Sequence, residues 1–530
     1  MEDIQKGGKD GTFKKLRSQN SFTKNIVLIL PIVFLFGLFI RLNELPIDLV
    51  LTADALEYFF YASDVNFNNQ LPINYTPINN GWPIFISFFM SLFTFDSTLS
   101  YMNLQRMLSL VLSAITIFPI FFLCKKYLGN FYGIIGAVIF AVEPRLIQNS
   151  VMGITEPLFI LLSVTGFVLF LSFKKYLVYF SFIIVSIASM IRGEGVLLLI
   201  AMFLLFVIKS KKNISIIPKS ILIITIVFLI MLPMSTYRID VIDRDGMFMR
   251  FSNTSTNVVF EKTINPQSNY FKNGIENFPK YLGWDLIPIF IIFVPIGGII
   301  LVKRRNFEML SVIIPSFLIS LSAAHAYSIP LLDTRYFYPL YPFFIILTVF
   351  AIKYFVDRTN NKKIAYAILV SIILSSVIFL IVKPIDYERE YEIQSISEKI
   401  LLNSKNINNY LPESRYLESV DLPEKWMNFQ NLLNESRIES ISTRQSMDHS
   451  FNLFSMNNEK HVDEFISKNK EIGLEHLIVD SNFNRPHFIK DIHLNENKFS
   501  YLEKIYDSKE EGFNYHVKIF KINYEEFLNE

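Results

Sequence analysis

The sequence predicts a polytopic α-helical membrane protein of ~11 transmembrane helices, followed by a C-terminal extracytoplasmic α/β domain. Three observations predict it. Of 530 residues, 51% are apolar and only 18% charged, and mean hydropathy is +0.35, which is greasier than a soluble chain of average composition. Apolar runs near the ~20 residues needed to cross a bilayer recur through the first three-quarters of the chain. The net charge of +2 hides a split: residues 1–383 carry 33 Lys+Arg against 21 Asp+Glu, and residues 384–530 carry 17 against 27. Such a composition excludes a soluble enzyme and a nucleic-acid binder with a basic face. The single cysteine, Cys124, excludes an intramolecular disulfide and a multi-cysteine metal site.

Placed by apolar length, the spans are 25–43, 104–124, 129–144, 156–173, 176–191, 195–209, 219–236, 286–302, 308–326, 336–354 and 364–383. The expected organisation is a basic cytoplasmic tail (1–24), a transmembrane domain (25–383) with long outer loops at 44–103 and 237–285, and an acidic soluble domain (384–530). Short basic loops fix the orientation. Lys125–Lys126, Lys174–Lys175, Lys209–Lys212, Lys303–Arg305 and Arg358–Lys363 all fall on the side of the basic N-terminal tail, the cytoplasmic side. An odd number of spans then puts the acidic domain outside. Within that domain the patterning predicts a helix at 395–402 and strands at 475–480 and 515–522.

Within residues 1–383, the outer side carries eight arginines against four lysines. Arginine presents a planar fork suited to phosphate, and a charge at a span end is costly unless paired or used. Four outer clusters stand out. In the first loop, Asp54 and Glu57 are spaced to share a helix face, beside Tyr58. A carboxylate just outside the first span can remove a proton from a hydroxyl, while a first-turn or capping acid is the competing reading. Glu143-Pro144-Arg145 opens a short loop that ends in Thr155-Glu156-Pro157, a helix-start pattern. Arg192-Gly193-Glu194-Gly195 reads either as a phosphate contact or as a tight turn with an internal ion pair. Asp333-Thr334-Arg335-Tyr336 leads into a Pro- and Tyr-rich span start.

The long first outer loop with an early acid, Thr155-Glu156-Pro157-Leu158-Phe159, Arg192-Gly193-Glu194-Gly195 and Arg335-Tyr336-Phe337-Tyr338-Pro339 together resemble the GT-C membrane glycosyltransferases. Within them the chain looks most like the protein O-mannosyltransferase group and its relatives that add aminoarabinose to lipid A. The resemblance covers the whole membrane domain. It implies a GT-C-like catalytic domain that moves a monosaccharide from a polyprenyl- or dolichyl-phosphate donor to a hydroxyl of a protein, glycan or lipid. By that match Asp54 is the catalytic acid/base. The family often has Asp-Glu adjacent; here Asp54 is followed by Ala55, and Glu57 is the next acid. The match implies that Arg335 and Tyr336 meet the donor phosphate; Arg192 is the second candidate for the positive charge that the departing phosphate needs. Glu143, Arg145, Glu156 and Tyr58 are implied to line the substrate pocket.

An oligosaccharyltransferase-like GT-C enzyme is the second alternative, ranked lower because the tail lacks that branch's Trp-Trp-Asp motif; the only Trp-Asp pair is Trp284-Asp285. No cofactor is expected beyond the lipid-linked substrate. The residues indicate no metal, although a divalent ion stays an option, and no nucleic acid is expected as partner. The rival from another class is a transporter or lipid flippase, which uses buried charges near mid-membrane and broken helices. The expected location is a prokaryotic cell membrane, archaeal included.

Overall fold

The computed structural model describes residues 28–242 apart from 69–70, 72–79, 96–97, 173 and 211–215; 270–395 apart from 330, 332, 389 and 393; 415–417; and 461–529 apart from 471–473 and 481–486. The basic tail at 1–24, all but the first residue of the helix expected at 395–402, and residues 243–269 of the second long loop lie outside this set. The chain divides into two compact units. One comprises 1–46, 75–86 and 104–384; the other comprises 47–74, 87–103 and 385–530.

The helices run in chain order as α1 (Leu28–Asn43), α2 (Ala53–Asn68), α3 (Gly81–Met90), α4 (Thr98–Ile115), α5 (Ile117–Leu128) and α6 (Asn130–Val142). They continue with α7 (Pro144–Ser150), α8 (Glu156–Leu171), α9 (Lys175–Ile191), α10 (Glu194–Ser210) and α11 (Ile216–Ile242). After these come α12 (Tyr270–Leu286), α13 (Phe290–Arg304), α14 (Phe307–Ser328), a 3-10 segment (Thr334–Leu340), α15 (Tyr341–Thr359) and α16 (Lys363–Val382).

Among the described residues, each of the eleven apolar stretches overlaps at least one helix. Among the described residues, five helices are long and apolar enough to cross a membrane: Leu99–Leu128, Ile216–Tyr237, Phe307–Ser328, Thr334–Thr359 and Lys363–Val382. The count rises to seven if two bent pairs each form one span: α6 with α7, bent by 56°, and α12 with α13, bent by 105°. The sequence places α12 in a loop. Charged residues, Pro279 and two glycines interrupt its apolar pattern, yet Phe278 packs on Phe337 and Tyr281 on Tyr327 while Phe271, Ile275 and Trp284 stay exposed.

Close helix packing rests on small residues. α13 meets α15 at Gly297, where an added Cβ would lie 1.9 Å from the Leu347 carbonyl oxygen. The first unit's core is aromatic and aliphatic, with Phe140, Phe159, Phe167, Phe170, Phe182 and Phe290 fully buried.

In the second unit, α2 buries Phe59, Phe60, Tyr61 and Ala62. The C-terminal part holds β1 (Arg415–Leu417), α17 (Val462–Lys470), β2 (Leu474–Asp480), α18 (His487–Leu494), β3 (Leu502–Asp507) and β4 (Val517–Ile522). The four strands form one sheet in the order β1-β2-β4-β3, with β1 parallel to β2 and the other pairs antiparallel. Two of these strands, β2 and β4, match the stretches expected from the sequence. Phe465 and Ile466 of α17 and Ile492 of α18 close a core with Leu477, Val479 and Phe520.

Candidate active site

Asp54 lies in the first turn of α2, exposed, with Glu57 and Tyr58 half-buried one turn on. The spacing expected to put both acids on one helical face is therefore realised. The chain entering α2 is tied down within its own unit. The Gln394 amide donates to the Asp48 carbonyl at 3.2 Å and its oxygen accepts from the Val50 N–H at 3.1 Å. An acid in a first turn is also favoured by the helix dipole, so placement alone fits both readings of Asp54.

The remaining candidates lie in the first unit and form three groups. The first gathers at the two helix breaks. A helix end leaves carbonyls and N–H groups without intrahelical partners, and in lipid these must be satisfied internally. At the end of α6, the fully buried Arg41 donates from Nη1 to the Ala141 carbonyl at 2.9 Å and from Nε to Ser113 Oγ at 3.0 Å. Ser376 Oγ donates to the Val142 carbonyl. Glu143 then caps α7, its Oε2 accepting from the Leu146 N–H at 2.7 Å. Arg145 spans to the other break, where Nη2 donates to the Trp284 carbonyl at 2.6 Å, and its guanidinium lies over Phe379. There the buried Asp285 accepts from Tyr341 Oη at 3.0 Å. Glu143 and Arg145 are both electrostatic neighbours of Asp285.

The second group is an ion-pair hub. Arg192 pairs with Glu156 through Nη1 and with Glu194 through Nη2, the latter at 2.7 Å, and Nη1 also donates to Thr155 Oγ1 at 3.2 Å. Glu156 is 1% exposed. The turn that carries Arg192 needs Gly195, because a Cβ there would lie 2.7 Å from the Ser189 backbone. The internal ion pair expected as the plain reading of Arg192-Gly193-Glu194-Gly195 is thus present, with Glu156 added.

The third group is the 3-10 segment. Asp333 caps it, accepting from the Arg335 N–H at 3.0 Å, and pairs with Arg335 Nε at 3.1 Å. The guanidinium lies 5.8 Å from the Tyr336 ring centre. The structure thus brings Glu143 and Arg145 together, Glu156 and Arg192 together, and Arg335 beside Tyr336; Asp54, Glu57 and Tyr58 belong to the other unit. Sequence reasoning assigns no site role to Asp285, Tyr341 or Tyr327: Asp285 enters it only through the Trp284-Asp285 pair, Tyr341 only among the tyrosines of a span start, and Tyr327 not at all. Among the described residues, no three His, Cys, Asp or Glu side chains gather as metal ligands do.

No protein-family model matches the sequence, and no curated protein matches it. Solved structures do match in fold. The oligosaccharyltransferase of Archaeoglobus fulgidus, in complex with Zn and sulfate, aligns with a TM-score of 0.55 at 14% identity, over 85% of this chain and 68% of its own. ArnT from Cupriavidus metallidurans, bound to undecaprenyl phosphate, aligns with a TM-score of 0.52 at 10% identity, over 94% of this chain and 98% of its own.

The chain has the GT-C fold.

A further structure, the archaeal oligosaccharyltransferase AglB from Archaeoglobus fulgidus with an inhibitory peptide and a dolichol-phosphate, aligns at 13% identity with a TM-score of 0.53, over 86% of this chain and 69% of its own. The GT-C resemblance seen in scattered sequence motifs is therefore present in three dimensions across the chain. With its long apolar helices, this GT-C chain is a multi-pass membrane protein.

Proposed function

We propose that this GT-C chain is a glycosyltransferase that moves a monosaccharide from a polyprenyl- or dolichyl-phosphate donor to a hydroxyl acceptor on the outer face of a prokaryotic membrane. The fold carries the reading. It is shared with ArnT bound to undecaprenyl phosphate over 94% of this chain, and with AglB in complex with a dolichol-phosphate. The N-terminus is cytoplasmic in this account, eleven spans cross the bilayer, and the acidic domain of residues 384–530 lies outside.

Asp54 takes the proton of the acceptor hydroxyl, with Glu57 beside it. The acceptor oxygen bonds to the anomeric carbon as the carbon–oxygen bond to the lipid phosphate breaks, inverting that centre in one displacement. Phosphate is a good leaving group, so the site needs positive charge more than a second acid. Arg335, with Tyr336, meets the departing phosphate. Arg192 first serves as counter-ion to Glu156 and Glu194. Glu143, Arg145, Glu156 and Tyr58 border the substrate. The chemistry requires no resident metal, and the lipid-linked sugar is substrate rather than cofactor.

A transporter or lipid flippase is the second reading, and the two bent helix pairs favour it, because broken helices are a transporter feature. Purified protein incubated with a panel of polyprenyl-phosphate sugars and crude envelope acceptor separates the two. Acceptor-dependent release of polyprenyl phosphate is expected. Folded protein that releases none with any donor, yet moves labelled lipid across vesicle bilayers, contradicts the transferase reading.

A further inference from the structure

We infer that Tyr327 is a positioning residue that sets the orientation of Arg335; the inference rests on the donor-phosphate reading of Arg335 above. Tyr327 occupies the last turn of α14 and is fully buried. Its hydroxyl donates to the Asp333 carbonyl at 2.7 Å. Asp333 in turn holds Arg335 twice: one carboxylate oxygen accepts from the Arg335 backbone N–H at 3.0 Å, and the other pairs with Nε at 3.1 Å. One phenol thus fixes the backbone of the residue that orients both the main chain and the guanidinium of Arg335.

The ring is fixed as firmly as the hydroxyl. Tyr281 of α12 stacks on it, with ring centres 4.9 Å apart and planes within 9°. Tyr336 meets it edge-on at 6.0 Å and Phe337 lies against it at 5.3 Å. The α12 amide of Asn277 donates to the Tyr327 carbonyl at 3.2 Å. A buried side chain held by three aromatic neighbours has little rotamer freedom to lose when it makes its bond. At the other end of the 3-10 segment, Tyr341 is anchored to Asp285. The segment that carries Arg335 is therefore pinned at each end by a tyrosine hydroxyl.

The bond from Tyr327 lies away from the guanidinium itself, so its loss loosens Arg335 without removing charge. Tyr327→Phe keeps the ring stack and deletes only the hydroxyl. For a single hydrogen bond of ordinary strength, the apparent KM for the polyprenyl-phosphate sugar should rise about threefold to tenfold. The KM for acceptor should stay within about twofold. Asp333→Asn, which retains an oxygen for the Arg335 N–H but loses the ion pair, should shift donor KM in the same direction. Adding Tyr327→Phe to Arg335→Ala should change donor KM no further, because both changes act on one group. If Arg335→Ala raises donor KM while Tyr327→Phe and Asp333→Asn leave it unchanged, the positioning role is overturned and the donor reading stands. If Arg335→Ala itself leaves donor KM unchanged, the donor reading fails and takes this inference with it. A Tyr327→Phe effect that adds fully to that of Arg335→Ala marks a general structural role and also overturns the inference.

Discussion

Arg145 reaches from α7, beyond one helix break, to the helix end at the other, donating to the Trp284 carbonyl at 2.6 Å. Arg41 does the same service at the end of α6, through Ala141. Arg145, a substrate-pocket candidate in the sequence, and Arg41 therefore satisfy carbonyls at helix ends, a need that lipid makes acute. Each break also buries a carboxylate, Glu143 at one and Asp285 at the other. These arginines do at least two kinds of structural work: helix-end sealing at Arg41 and Arg145, and carboxylate pairing at Arg192 and Arg335.

Neighbouring glycines in α13 give opposite outcomes. A Cβ at Gly297 would sit 1.9 Å from the Leu347 carbonyl oxygen, and backbone cannot yield as a flexible side chain can. Gly297→Ala should separate α13 from α15 and cost about 1–3 kcal/mol or more. At Gly298 an added Cβ meets nothing within 4 Å, so Gly298→Ala should hold or raise stability through its helix propensity. Thermal melting of both variants in detergent checks the pair. Equal melting temperatures would contradict this close approach.

Arg192→Ala should destabilise by about 3–5 kcal/mol, the range for breaking a buried pair, because it strands Glu156 and Glu194 in the interior. Converting both acids to Gln in the same chain should recover much of the loss. Fluorescence-detected melting reads both steps. No recovery in the triple variant would mean that Arg192 stabilises through contacts other than these carboxylates.

The C-terminal domain should weaken in acid. The hydrogen bond from Lys518 holds Glu496 below its ordinary value of 4.5, with burial opposing and Lys504 assisting. Burial pushes Asp507 up, but the Lys509 N–H, His516 and Lys504 outweigh it and hold the group below its ordinary value of 3.8. A depressed carboxylate contributes stability above its unfolded pKa and loses it as pH falls through the folded one. Hydrogen-exchange protection of β4 in the full chain should therefore be constant near neutrality and decline below about pH 4.5. Unchanged protection down to pH 3 would count against these pairs.

Helix positions are legible because apolar length is a local signal: among the described residues, every stretch from 25–43 to 364–383 overlaps a helix. α12 was not, since its stabilising contacts, Phe278 on Phe337 and Tyr281 on Tyr327, join residues about fifty apart. The Arg192–Glu194 pair was legible because its partners are two residues apart, whereas Glu156 is thirty-six residues away. Asp285 stayed hidden for the same reason: its partner Tyr341 lies fifty-six residues on. The candidate base Asp54 came from its place just outside the first span and from the GT-C resemblance, and the spacing that joins it to Glu57 is present on α2.

The most direct measurement compares wild type with Asp54→Asn for release of polyprenyl phosphate from the donor that wild type accepts, alongside donor binding by photocrosslinking. Loss of a general base should lower release by about a hundredfold or more, while donor crosslinking stays at the wild-type level. Release by Asp54→Asn at the wild-type rate would contradict Asp54 as the base, and would move that role to Glu57 or Glu143.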